Sequence, residues 1–241
     1  MSAARRPGTL RTLPSARSTG LLGLVSVGTI LGGCLAAAIP YRGWAGEAYS
    51  PLNHFVSELG EVARSQLSIA FNLGVITGGL GLGLFVILLS RRVTGRYRPA
   101  LAAAGIVADV SGMLVGFVPM DDQSIHRLAS SVFFGMIWVV MTVFSAWLLT
   151  RPSRGFGRWL LIPGGLGVAA SLSFVAVYVT YRPPPLGAHI VQRPDVWPVP
   201  MLEWAALLAL LLWFGCVSLE MIRQHPHGTN VPAAEIRNAP R

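Results

Sequence analysis

The chain has 241 residues, of which 53% are hydrophobic and only 12% charged, and its mean hydropathy is +0.57. That balance excludes a soluble globular domain, whose surface needs about twice as much charge. The net charge of +9 comes from arginine without any lysine, and its placement beside apolar runs, with no interleaved stacking aromatics, excludes a nucleic-acid-binding surface.

The first nineteen residues form a short arginine-, serine- and proline-containing tail with no apolar period, expected to be disordered. An apolar run over 21–40 follows, long enough for a membrane span of about 20 residues. Within it, Leu31-Gly32-Gly33-Cys34 resembles the lipid-attachment site of a bacterial lipoprotein signal. The run continues through Leu35 to Ile39, where a mature lipoprotein would turn polar, so the first-span reading is preferred. Residues 41–65 form a polar connection. Ser50-Pro51 has the pattern of a helix start, and Leu52, Phe55, Val56 and Leu59 repeat at helical spacing, predicting a short amphipathic helix at the outer interface between spans one and two. Four more spans or hairpin partners follow the second, giving spans at 66–90, 99–118, 126–150, 158–181 and 200–222. The connection 182–200 carries six prolines and is expected to be extended, and 223–241 is a second disordered tail. The membrane domain is thus one unit over 20–222, an all-α six-span bundle, because only helices satisfy every backbone polar group within lipid when no barrel pattern is present.

Fourteen of the nineteen arginines fall in four segments, Arg5–Arg17, Arg91–Arg98, Arg151–Arg158 and Arg223–Arg241. Cationic connections stay in the cytoplasm, so both termini are expected there, in a multi-pass protein of the plasma membrane. The intervening connections hold most of the acidic residues. Glycine pairs four residues apart, at Gly28/Gly32, Gly74/Gly78, Gly79/Gly83 and Gly112/Gly116, predict close helix contacts within the bundle, with a homodimer interface as the alternative. Cys34 and Cys216 fall at different depths and are not expected to pair.

No soluble-enzyme motif is present. The polar residues gather on the outer side, where Asn53, His54, Ser57, Glu58, Asn72 and His126 are expected to form a pocket. One histidine in each outer connection (His54, His126, His189) also permits a zinc site with Glu58 or Asp122 as general base, although no ligand spacing demands one and no cofactor is expected. Asp109 falls about 15 Å into its span, near the midplane. It shares a stripe with Gly105, Gly112 and Gly116 and therefore faces a neighbouring helix. An intramembrane carboxylate marks a functional site by default. The competing reading is a neutral Asp109 hydrogen-bonded to Thr142, Ser145 or Asn72. Glu203, only about 5 Å inside its span, can be hydrated and marks a site less clearly.

Asn53-His54-Phe55-Val56-Ser57-Glu58-Leu59-Gly60, followed by Ser65 and Phe71-Asn72-x-Gly74, resembles the bacterial domain-of-unknown-function family 998, distantly similar to the eukaryotic DRAM-like membrane proteins (damage-regulated autophagy modulators). Gly116-Phe117-Val118-Pro119 and His126-x-x-Ala129-x-x-x-Phe133 extend the resemblance. It covers about residues 20–222 and implies six spans and an outer-side cluster of motif residues, but no established activity and no catalytic residue. His189 and Asp109 match no part of its pattern. The reading that follows is non-enzymatic binding or organisation of a lipid headgroup or a membrane-protein partner at the outer leaflet. An intramembrane hydrolase of a lipid or amide, and a small proton-coupled transporter using Asp109, are the alternatives. Reporter fusions after residues 95 and 155 should read cytoplasmic and those after 48 and 122 external; one reversed connection breaks the scheme.

Overall fold

The computed structural model describes residues 14–43, 45–151, 155–180 and 193–224. Six helices account for most of them: α1 (Ala16–Ala38), α2 (Ser68–Ser90), α3 (Tyr97–Phe117), α4 (Gln123–Thr150), α5 (Leu161–Thr180) and α6 (Pro198–Arg223). No strand occurs among the described residues. Each helix contains an 18-residue stretch of mean hydropathy between 1.8 and 2.2, so all six are long and apolar enough to cross a membrane. The chain is a multi-pass membrane protein. Every span agrees with its expected position to within a few residues, the largest difference being the earlier start of α1.

Local chemistry sets several helix ends. Ser15 caps α1 by accepting a hydrogen bond from the Ser18 amide, and Asp122 caps α4 by accepting one from Ile125. Proline opens α6, where a missing N–H leaves nothing unpaired. The even number of spans brings both ends of the described chain to one face, which also carries the arginine-rich turns: Arg92 donates to the Pro14 carbonyl, and Gln224 donates to that of Gly155. The opposite face carries the 41–67 connection, and we call it the loop face.

Each helix packs against its neighbours in chain order, and α6 closes onto α1, so the six form a ring. A ring of six has space along its axis. On the arginine face that space is filled by interlocking aromatics: Phe144 meets Trp147, Phe156 and Trp213 at centroid distances of 5.4–5.6 Å, and Phe85 meets Phe214 at 5.8 Å. On the loop face the filling is incomplete, which creates the cavity described below.

Glycine sets the α1–α2 distance. A Cβ on Gly33 would stand 2.7 Å from the Ala70 carbonyl oxygen, and one on Gly74 would stand 3.1 Å from both the Gly33 Cα and the Thr29 carbonyl oxygen. Gly78 and Gly116 are equally confined, the latter against α2. Gly28 and Gly32 correct the sequence expectation: nothing lies within 4 Å of a Cβ at either position, so they mark no contact inside this bundle. The α1–α2 contact instead uses Gly33, one residue round the helix.

The connection between α1 and α2 folds back onto the ring. It contains a 3-10 helix, Val56–Gly60, and turns on either side of it. Phe55, Val56 and Leu59 are buried, as are Ser57 and Glu58, whereas Leu52 is exposed. Burial of that apolar stripe holds the connection down as a plug over the loop end of the ring.

Candidate functional site

Glu58 is the hub of the plug. It sits at the third position of the 3-10 helix, and its Oε1 accepts a 2.8 Å bond from the Phe55 amide, satisfying a donor left over at the helix start. Arg193, just before α6, grips it with two parallel bonds of 2.9 Å, and the Tyr41 hydroxyl, just after α1, donates to Oε2 at 3.1 Å. Arg193 also donates to the Asn53 carbonyl at 2.6 Å. Both partners of the ion pair are almost wholly withdrawn from water, at 8% and 4% side-chain exposure. Burial alone would lower the Arg193 pKa, but the bonds to Glu58 more than offset this and raise it.

The neighbouring polar groups are also used within the plug. The Asn53 side chain donates to the Pro194 carbonyl, and its oxygen lies 2.8 Å from His54 Nδ1. His54 Nε2 is 3.6 Å from Glu47, yet burial holds the ring pKa below its ordinary value. Tyr49 donates to the Phe55 carbonyl and accepts from Trp204 of α6 at 2.8 Å, and burial pushes its hydroxyl pKa well up. Asn72 of α2 donates to the Gly60 carbonyl, and Asp121 accepts from the Val62 and Ala63 amides. Glu61 and Arg64 form a buried pair at 3.1 Å; burial pushes the Glu61 carboxyl up to about 7, against the pull of Arg64.

The expected outer pocket is therefore only partly a pocket. Asn53, His54, Ser57, Glu58 and Asn72 are brought together, but most of their polar atoms serve the plug itself. His126 has a separate task, its Nδ1 lying 2.8 Å from the Val118 carbonyl across the α3–α4 turn. No group of three His, Cys, Asp or Glu side chains able to hold a metal occurs among the described residues, and His189 lies outside them. Cys34 and Cys216 are both free.

Beneath the plug lies a cavity of about 90 Å³. Val56 and Ser57 line it from above, and α1, α2, α3, α4 and α6 form its sides. The wall is almost entirely apolar, with two acidic exceptions, Asp109 and Glu203. Asp109 of α3 lies against Gly83 of α2, where a Cβ would stand only 2.2 Å from the carboxyl carbon. Its Oδ1 is buried without a hydrogen-bond partner, so Thr142, Ser145 and Asn72 do not supply the bond considered from sequence. Glu203 is a second correction. It is 5% exposed rather than hydrated, and it accepts a 2.6 Å bond from the Val56 amide. The plug folds over the start of α6 and seals that carboxylate from water.

The model of a family described as "Protein of unknown function (DUF998)" matches residues 29–220. The chain belongs to this family. No curated protein and no solved structure matches the chain. The match runs from the second half of α1 nearly to the end of α6 and includes the plug.

Sequence reasoning missed Arg193, Tyr41 and Tyr49. A buried glutamate in an apolar plug needs a cation, and that requirement was the available signal. Replacing either Glu58 or Arg193 with Gln should destabilise the protein by about 3–5 kcal/mol, because each change strands a buried charge. Unfolding of the double variant should cost less than the sum of the singles; additive effects in a double-mutant cycle would contradict the pairing.

Glu61 generates a pH dependence of determinate sign. Its folded pKa of about 7 exceeds the reference 4.5, so its contribution to stability is complete below 4.5 and is lost as pH rises through 7. Glu61→Gln should therefore gain thermal stability relative to wild type as pH rises across that window. A difference independent of pH would refute the burial argument.

Proposed function

We propose that this protein is a membrane-embedded binding protein that holds one amphiphilic molecule in the cavity beneath the plug, without chemical conversion. The observation that carries the reading is the cavity: about 90 Å³ within the ring, apolar over nearly all of its wall, bounded above by Val56 and Ser57. Its wall is built like those of sites for small organic ligands, which are mainly apolar with a few placed polar groups. An apolar chain would lie between α2, α3, α4 and α6, with the polar end toward Ser57 and Glu203.

The arginine-rich turns orient the ring with both termini in the cytoplasm and the loop face outward, at the outer leaflet of a bacterial plasma membrane. The plug is then the outer lid of the site, and a membrane amphiphile is its natural ligand. The polar atoms of Glu58, Asn53 and Arg193 are committed to holding that lid, which favours a binding role for the space below over hydrolysis at the plug.

Gly79 provides the test. It lines the cavity, and a Cβ there meets only Met113 Cγ at 3.6 Å and Asp109 Oδ1 at 3.8 Å, ordinary contact distances. Gly79→Leu should occupy the space with little strain. Full-length protein purified from membranes should carry a stoichiometric amphiphile by native mass spectrometry, and the variant should lose it while keeping its melting temperature within a few degrees. Equal retention by both proteins would overturn the reading.

A further inference from the structure

The two carboxylates in the cavity lack what Glu58 has. Glu58 is neutralised by Arg193, but Glu203 is met only by the Val56 amide and by Ser57, and Asp109 only by the Gly83 backbone, its Oδ1 lacking a hydrogen-bond partner. No arginine or histidine occurs among the described residues that line the cavity, and the chain has no lysine. A carboxyl in apolar surroundings keeps its proton unless a counter-charge reaches it, so a bound cation is what would draw the charged form. Four phenylalanines, Phe71, Phe133, Phe134 and Phe214, share the wall, and their ring faces attract a desolvated cation. Charge and shape thus ask for the same occupant, an apolar body bearing positive charge.

We infer that the ligand is a lipophilic cation of the alkylammonium type, its charged group held at Asp109 and its apolar part against the phenylalanines. The inference rests on the binding role proposed above and names the class of ligand. The geometry around Asp109 supports it independently of any particular ligand shape. Gly83 gives the carboxyl room that any side chain would remove, and Gly79, Gly105 and Gly112 keep the adjacent wall low. A neutral or anionic amphiphile of the same length would leave both acids uncompensated and should bind less well.

The test uses the full-length protein in phosphatidylcholine nanodiscs, with empty discs as background and three probes sharing one chain: decyltrimethylammonium, decanol and decyl sulfate. Wild type should bind the ammonium roughly tenfold or more tighter than decanol, the margin expected for one desolvated charge pair, with the sulfate weakest. Asp109→Asn should weaken ammonium binding by roughly the same factor while leaving decanol within about twofold. Gly79→Leu should reduce binding of both. Equal affinity for all three probes, still sensitive to Gly79→Leu, would overturn the cation inference and leave the amphiphile site standing. Absence of any probe binding sensitive to Gly79→Leu would overturn both. The probe series on wild type decides the matter even if Asp109→Asn fails to fold.

Discussion

The Glu58 carboxylate joins parts of the chain that would otherwise have no reason to meet. It takes a hydroxyl from the end of α1, an amide from its own 3-10 turn and a guanidinium from the segment leading into α6. Those are the two helices whose contact closes the ring. Between transmembrane helices the hydrophobic effect supplies little attraction, since lipid is as apolar as the side chains, so closure depends on shape and on polar ties. Close glycine contacts supply shape between α1 and α2, and the Glu58 cluster supplies the tie at the loop end of α1 and α6. The position of the plug, the seal over Glu203 and the floor left open beneath Val56 all follow from that one arrangement.

The plug also resolves a conflict inherent in its composition. Residues 55–59 alternate large apolar groups with a serine and a glutamate in a stretch too short for a full α-helix. Burying Phe55, Val56 and Leu59 necessarily takes Ser57 and Glu58 out of water as well. A 3-10 turn lets the glutamate reach back to the Phe55 amide, and the connection ahead of α6 delivers the compensating arginine. Without that cation, burial of the apolar stripe would strand a charge, at a penalty exceeding the gain from any one of its side chains.

The spans were legible because their signal is long and redundant. Twenty apolar residues between arginine clusters leave few other assignments, and α2 through α6 fall where hydropathy put them. The contact faces were less legible. Gly28/Gly32 and Gly74/Gly78 have identical spacing, yet only the second pair is confined, because spacing fixes which residues share a face and says nothing of where that face points. The plug was legible as an apolar stripe that must be covered, though its cover is the ring and not the membrane interface. Arg193 and Glu203 were not legible. Arg193 is paired with a residue 135 positions away, and the burial of Glu203 depends on a plug donated by the first connection.

Three acidic residues within the described fold illustrate how environment assigns different work to one kind of side chain. Glu58 is buried with its cation, so its energy is spent on architecture. Glu61 is buried beside Arg64, yet its environment still favours the proton, so it responds to pH near neutrality. Asp109 is set against the backbone of Gly83 with its Oδ1 unmet, and the fold gives it no cation. Gly83 therefore matters as much as the acid it faces. Any larger residue there would displace Asp109 from the cavity wall.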